Sequence, residues 1–206
     1  MRIGIVCYPT YGGSGVVATE LGLALAAKGH QIHFITYKRP VRLTHYQENV
    51  FFHEVNTEEY PLFDYTPYDT TLTSKLVDVV KYEKLDLLHV HYAIPHATVA
   101  YLAKQILADE GIYIPVVTTL HGTDITLVGS DRSFAPVVAF SINQSDGVTA
   151  VSNHLRHQTC EQLKIKKEIE VIYNFIDFAR FSRLNKEHFR KAIAPDGEKI
   201  LVHISN

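Results

Sequence analysis

Short apolar segments alternate along the chain with longer segments whose apolar positions recur at helical spacing. The apolar segments are rich in β-branched residues, which is typical of strands buried inside a parallel sheet. Seven such segments are predicted as strands: Ile3–Cys7, Gln31–Tyr37, Val50–Val55, Asp86–His91, Pro115–Leu120, Gly147–Val151 and Glu168–Tyr173.

The helical segments lie between most of these strands and carry their apolar residues on one face. They run from Val16 to a stop at Gly29, over Thr71–Glu83, Ala97–Ala108 and Phe134–Asn143, from an N-cap at Ser152 to Leu163, and over Glu187–Ala192. This alternation predicts an α/β fold, a Rossmann-like doubly wound parallel sheet with helices on both faces. In such sheets, ligands bind beyond the carboxyl ends of the strands.

A glycine-rich loop follows the first predicted strand. Gly12, Gly13 and Gly15 stand before the first helix, where backbone N–H groups and the helix dipole favour an anion. Three glycines exceed what a tight turn needs, so we expect a phosphate or carboxylate here; a turn without a ligand is the alternative. Residues 13–18 also match the dinucleotide pattern G-x-G-x-x-G/A, which makes an NAD(P)-dependent oxidoreductase domain the second hypothesis. The second strand ends at Tyr37 without the expected ribose-binding acidic residue, which argues against that hypothesis.

Polar residues also stand at the carboxyl ends of three other predicted strands. His91 and Tyr92 follow one strand, Thr119–Asp124 span the end of the next, and Asn174 follows the last. His121 precedes Gly122 at the end of its strand and is expected to face the ligand crevice. A structural histidine that bonds nearby carbonyl groups is the alternative.

Four histidines are candidates for a common metal site, namely His89, His91, His96 and His121. No H-E-x-x-H element and no cysteine-containing ligand set accompanies them. The chain has 12 histidines, so some grouping is expected by chance. The sequence therefore predicts no metal.

Composition excludes several function classes. The chain has 206 residues, 46% of them hydrophobic and 20% charged, with a formal net charge of −2. That balance indicates neither a nucleic-acid partner nor an anionic membrane surface. Cys7 and Cys160 are too few for a disulfide framework, no signal peptide pattern is present, and no apolar run approaches the ~20 residues of a membrane span. We therefore expect a cytoplasmic protein.

The last residues predict a strand that no helix follows. Lys199–Ser205 is largely apolar and comes after a Pro195–Gly197 turn. We interpret residues 1–198 as one domain and residues 199–206 as the first strand of a further C-terminal domain. An added edge strand of the same sheet is the alternative. A domain without its partner exposes apolar surface, so a homodimer is a further expectation.

Five segments stand out as an ordered set: GGSGVVATELG (12–22), DLLHVHYAIPHA (86–97), TTLHGTDITLVG (118–129), AVSNHLR (150–156) and VIYNFIDFARF (171–181). Together they resemble the N-terminal half of a retaining GT-B glycosyltransferase. In that family the N-terminal domain binds the acceptor, the C-terminal domain binds the nucleotide sugar, and the active site lies between them. The family's Glu-x7-Glu element of the second domain has no counterpart here, so the resemblance covers the acceptor half alone.

Within that family, the chain most resembles the members that act in bacillithiol synthesis. It implies transfer of N-acetylglucosamine from UDP-N-acetylglucosamine to the hydroxyl of L-malate, with retention and without metal, cofactor or protein nucleophile. Gly13 and its neighbours would then donate N–H groups to the departing diphosphate, and His121 would contact the donor sugar. The remaining residues implied in substrate binding are Gly12, Ser14, Gly15, His91, Tyr92, Thr119, Asp124 and Asn174.

This interpretation leads to further expectations, and alternatives to it stay open. The chain by itself is expected to bind UDP-sugars weakly or not at all and to be inactive. A glycosyltransferase of the same family with a different sugar or lipid acceptor is an alternative, and a non-catalytic binding domain of the same fold is the third hypothesis. Malate carries two carboxylates, which need charged hydrogen-bond donors. Arg39 is the arginine that stands at the carboxyl end of a predicted strand.

Overall fold

Among the residues that the structure describes, seven parallel strands form one sheet. In the computed structural model, which describes residues 1–57, 65–126, 131–178 and 180–203, the strands are β1 Arg2–Val6, β2 Gln31–Thr36, β3 Val50–Glu54, β4 Leu87–His91, β5 Val116–Leu120, β6 Gly147–Ala150 and β7 Ile169–Val171. The helices are α1 Gly13–Ala27, α2 Tyr68–Glu83, α3 Thr98–Asp109, α4 Thr123–Thr126, α5 Ala135–Gln144, α6 Asn153–Gln162 and α7 Glu187–Ile193.

The strand order brings three loops together. The sheet runs β3-β2-β1-β4-β5-β6-β7, so β1 pairs with β2 on one side and with β4 on the other. Strands β1 to β3 follow one another toward one edge of the sheet, and strands β4 to β7 follow one another toward the other edge. The point between β1 and β4 where this order reverses is where doubly wound folds bind ligands. All pairs are parallel, so the loops after β1, β4 and β5 leave the same edge.

Alternating strand residues supply a core on each face of the sheet. Ile5 and Phe34 pack with Ala18 of α1 in one core, whereas Val6 and Ile35 pack with α2 and α3 in another. A third core joins β5 and β6 to α5 and α6. Because successive strand residues point to opposite faces, a strand covered on both faces is largely apolar. This is why the strands could be recognised as mainly apolar segments.

The predicted α/β doubly wound sheet is confirmed, with each strand within two residues of its expected ends. The N-cap prediction is also confirmed, because the Ser152 hydroxyl accepts a bond from the Leu155 N–H at 3.1 Å. The helix α4 and an irregular turn at Ala93–Ala97 were not predicted. Within the described part of the chain, no helix combines the length and apolar character needed to cross a bilayer.

The chain divides into two units, Met1–Asn174 and Phe175–Asn206. The first unit ends at Asn174, and the domain boundary at residue 198 stays a prediction. The second unit contains α7 and otherwise irregular backbone among its described residues. The predicted strand Lys199–Ser205 is corrected over residues 199–203, which form no strand, and residues 204–206 lie outside the described residues. A strand is stable only beside a neighbour that exchanges backbone hydrogen bonds with it. Assignment of this segment to a further domain stays a prediction.

Candidate active site

The loops after β1, β4 and β5 meet at the carboxyl edge of the sheet. Tyr8, which follows β1, has its ring centroid 5.3 Å from that of Tyr92 and 4.6 Å from that of His96. Tyr92 in turn lies 5.6 Å from His121 by ring centroids. The glycine-rich loop and His121 therefore stand on the same rim, as the sequence predicted.

The glycine-rich loop leads directly into α1. Gly12 is the N-cap residue, and neither a capping side chain nor an acidic residue satisfies the first turn of the helix. Helix starts of this kind offer backbone N–H groups to an anion. A Cβ atom added at the exposed Gly13 would meet nothing within 4 Å, so space for a ligand is present there. Gly13 and the half-buried Ser14 are therefore the open positions of the loop.

Gly15 has a different role from Gly13. It is buried, and an added Cβ atom would stand 2.3 Å from the Tyr8 carbonyl oxygen and 2.8 Å from that of Thr10. No side chain fits such a close approach of two backbone segments. The turn alternative therefore accounts for Gly15, and the anion hypothesis depends on Gly12–Ser14.

A row of histidine rings lies behind the rim. His89 stacks on His91 with centroids 4.6 Å apart, and His91 stacks on His121 at 5.1 Å. The His91 Nδ1 and His121 Nε2 atoms are 2.8 Å apart and share a hydrogen bond. The row continues sideways, because His89 Nε2 bonds to the Thr119 hydroxyl at 2.7 Å. One nitrogen of His121 is thus held from behind while the half-buried ring faces the rim.

His96 supports the row from the turn after β4. Its Nδ1 donates to the His91 carbonyl oxygen. His91 and His96 have no exposed surface, and the Nε2 atoms of both lack a hydrogen-bond partner among the described residues. Burial penalises the charged form of an imidazole. Both rings are therefore packed as neutral groups.

Burial also sets the charge state of the histidine row, including His121 at the rim. It lowers the pKa of His89, His96 and His121 to about 4 in each case and that of His91 far below its ordinary value. The rings in the row also lower one another's pKa, since a proton on one repels a proton on the next. At neutral pH, His121 can donate or accept a hydrogen bond but brings no positive charge.

Asp124 fixes the backbone around His121. Its Oδ1 accepts bonds from the N–H groups of Gly122 at 2.9 Å and His121 at 3.3 Å, and its Oδ2 accepts one from Ala93 at 3.2 Å. Its side chain is fully buried, and burial raises its pKa while the three backbone bonds oppose that rise. The carboxylate therefore ties the start of α4 to the turn after β4.

Tyr92 has an unusual backbone conformation for a residue with a side chain, with φ at +89°. Its N–H donates to the Thr119 carbonyl at 3.0 Å, and its hydroxyl bonds to that of Thr123 at 2.7 Å. Strained conformations of this kind cost about 1–3 kcal/mol and concentrate at functional sites. The strain places the tyrosine ring over His121, between the loops after β1 and β5.

The structure assembles most of the predicted site residues but not all of them. Thr119 is nearly buried and links His89 to the Thr149 hydroxyl at 2.8 Å. His91 and Asp124 have no exposed surface, so we interpret them as positioning residues for His121; their predicted contact with substrate stays a prediction. Asn174 is exposed after β7, two strands beyond β5 and so roughly 10 Å away across the sheet.

Two contributors were missed in the sequence. Tyr8 lies two residues after β1, and its position near a strand end was the available signal. Thr149 alternates with apolar residues in a strand, which gives no signal of a role.

The rim of this doubly wound sheet combines a helix start without a side-chain cap and a half-buried histidine, and such an edge is where these folds bind ligands. The chain belongs to Glycosyltransferase Family 4, which it matches over residues 11–180. It is 52% identical over 207 aligned residues to N-acetyl-alpha-D-glucosaminyl L-malate synthase of Bacillus anthracis, a match that covers 100% of this chain and 54% of that protein.

A more distant relative is an uncharacterized glycosyltransferase of Methanocaldococcus jannaschii, 27% identical over 174 residues, with 84% of this chain and 45% of that protein covered. The chain thus spans about half the length of the curated relatives it matches. The family assignment favours the glycosyltransferase hypothesis over the oxidoreductase one.

Solved structures share the fold. Sucrose-phosphate synthase from Thermosynechococcus elongatus superposes with a TM-score of 0.69 at 14% identity, covering 95% of this chain and 53% of that one. Anabaena HepE, solved with UDP-glucose, gives 0.69 at 15% identity, with 96% and 50% covered. A glycosyltransferase from Rickettsia africae gives 0.69 at 22% identity, with 94% and 48% covered. The Rossmann-like fold of this chain therefore matches about half the length of each of these solved chains.

Proposed function

We propose that this chain forms the acceptor-binding half of a retaining glycosyltransferase that transfers N-acetylglucosamine from UDP-N-acetylglucosamine to the hydroxyl of L-malate. The observation that carries this proposal is the 52% identity with the L-malate synthase of Bacillus anthracis over the whole chain. The nucleotide-sugar site is proposed to lie in the part of such relatives that this chain does not span. The proposed reaction is the first step of bacillithiol synthesis and uses no cofactor.

The site supplies suitable groups for each end of the breaking bond. The start of α1 around Gly13 is suited to stabilise the diphosphate charge that develops as UDP leaves. His121, neutral and bonded from behind by His91, is suited to bind a sugar hydroxyl. Tyr92 and Ser14 border the same rim and would contact the acceptor.

The carboxylates of L-malate need donors that favour negative charge. Arg39 is exposed in the loop after β2, beside the strand that precedes the glycine-rich loop. We include it in the acceptor site on this basis. Arg42 in the same loop lies 3.9 Å from Glu20 and is partly neutralised by it. Asn174 stays a candidate at the far side of the rim.

The cellular setting follows as part of the same proposal. Cys7 and Cys160 are both free thiols, which suits the reducing conditions of the cytoplasm. A homodimer stays a prediction that analytical ultracentrifugation of the chain would check.

The first test uses the chain as it stands. Proton–nitrogen NMR spectra of the 206-residue chain would be recorded with L-malate, with D-malate and with UDP-N-acetylglucosamine. We expect saturable shifts with L-malate at the amides of Gly13, Ser14 and His121, and weaker effects with the other two compounds. Shifts confined to residues far from the carboxyl edge would contradict the proposed acceptor site.

The second test restores the other half. The chain would be fused to the C-terminal half of the Bacillus anthracis relative, and UDP release would be measured with and without L-malate. His121→Ala is expected to lower kcat by about 100-fold or more, the usual effect of removing a group that stabilises the transition state. The matched control is His45→Ala, an exposed histidine in the loop after β2. Turnover that does not depend on L-malate would refute the choice of acceptor.

A further inference from the structure

A second cluster of ligating side chains lies away from the candidate active site. His33 of β2, His53 of β3 and Glu83 at the end of α2 each offer one ligand atom, and these atoms all lie within 4.8 Å of one another. Glu83 ends its helix shortly before the amino end of β4, whereas the candidate active site follows the carboxyl ends. The proposed sugar transfer uses none of these three residues.

The two histidines are already arranged as a pair. The His33 Nδ1 and His53 Nε2 atoms are 2.9 Å apart, and the rings stack at 19°. Such a bond requires that one nitrogen present a lone pair and the other a proton. His33 is only 1% exposed, so its Nδ1 faces His53 Nε2 in a place largely closed to water.

The spacing of the three ligand atoms is close to that of a metal site. Two nitrogens bound to one zinc ion at about 2.0–2.1 Å with tetrahedral angles lie about 3.4 Å apart. The observed 2.9 Å therefore needs to widen by only about half an ångström. Glu83 is half-buried, and its side chain has three rotatable bonds. Its carboxylate can therefore approach the two histidines by a change of rotamer.

We propose that His33, His53 and Glu83 bind a divalent transition-metal ion of the zinc class, with water as the fourth ligand. Two imidazoles and one carboxylate are a donor set that suits such ions. The Glu83 carboxylate also offsets the nearby positive charges of Arg2 and Lys75. A bound ion would join the edge strand β3 to the end of α2, and so would stabilise that edge of the sheet.

The test is a titration of the chain, first treated with a chelator, with Zn²⁺ by calorimetry and with Co²⁺ by visible absorption. We expect one saturable site, a visible band of Co²⁺ in a site of low coordination number, and a rise in the thermal midpoint that the chelator reverses. His53→Gln and Glu83→Gln should each weaken binding by at least about tenfold, because even the loss of a supporting contact costs 10–100-fold in metal sites.

Two further variants make the result decisive. His53→Cys keeps a metal ligand at the position, so it should retain binding and add a sulfur-to-cobalt absorption band that the unchanged chain lacks. His157→Gln is the matched control, since His154 and His157 lie one turn apart on α6 and are another pair able to hold an ion. The proposal is overturned if no saturable binding occurs, if His53→Gln and Glu83→Gln bind as the unchanged chain does, or if binding is lost in His157→Gln.

Discussion

Removal of the Asp124 carboxylate is the sharpest test of how the candidate site is held. This side chain is fully buried and accepts three backbone bonds, from Gly122, His121 and Ala93. A buried N–H group left unpaired costs about 1–3 kcal/mol. Ala93 is fully buried and would bear the full cost, whereas His121 and Gly122 are half-buried and can be reached by water.

The net cost is smaller than the sum of three bonds. Burial raises the pKa of Asp124, which means that its charge is itself unfavourable in this environment. Removal of the carboxylate relieves that penalty. We therefore expect Asp124→Ala to lower the free energy of unfolding by about 3 kcal/mol. Asp124→Asn keeps one acceptor oxygen but turns an NH₂ group toward another N–H, so a loss of about 1–2 kcal/mol is expected.

The assay is urea unfolding of both variants together with hydrogen exchange of the Ala93 and Gly122 amides. Exchange at these two positions should accelerate more than elsewhere, because they lose their acceptor directly. Asp131→Ala is the matched control: Asp131 accepts the Ser133 N–H at 2.8 Å just before α5, but it is exposed. A similar loss of stability in Asp124→Ala and Asp131→Ala would refute the assignment of Asp124 as the residue that fixes the backbone around His121.

Two further predictions concern the same rim. Below pH 6.5 the free energy of unfolding should fall steadily toward pH 4, because the unfolded chain takes up protons that the buried His91 and His96 refuse, at up to about 1.4 kcal/mol per pH unit for each ring. Asp124 acts weakly in the opposite direction through its raised pKa. Urea midpoints that stay constant from pH 7 to pH 5 would contradict this. Gly15→Ala should destabilise by about 1–3 kcal/mol through its clash with backbone atoms, while Gly13→Ala, with open space around it, should change stability by less than about 1 kcal/mol, as measured by thermal unfolding.

The sheet and the rim were predictable for a simple reason. A strand such as β1, buried from Ile3 to Val6, is apolar over that whole stretch, and neighbouring parallel strands end at a common edge. Polar residues directly after strands, such as Tyr92 and His121, therefore lie at the same edge of the sheet. The alternation of strands and helices indicated a doubly wound sheet, and the order of its strands decides which of these residues are neighbours.

The internal organisation of the rim could not be read from residue types. Gly13 and Gly15 are the same residue type, yet Gly13 has space for a side chain, whereas the Tyr8 carbonyl leaves none at Gly15. His91 and His121 both stand at strand ends, but the first is fully buried and the second is half-exposed. These differences arise from the turn after β4, whose backbone conformation at Tyr92 is rare for any residue with a side chain and gives no sequence signal.

The charge state of the histidine row bears on how the proposed transfer would proceed. A general base must take up the proton of the acceptor at the working pH, and burial lowers the pKa of His121 from its ordinary 6.5 to about 4. The ring is thus roughly 300-fold less basic than a free histidine. Protonation would also place a positive charge beside the fully buried His91, and the described residues that shift the pKa of His91 are themselves histidines. A ring so placed can orient a hydroxyl but is poorly suited to remove its proton. This supports a reaction in which the leaving phosphate, rather than the protein, takes the proton of the acceptor.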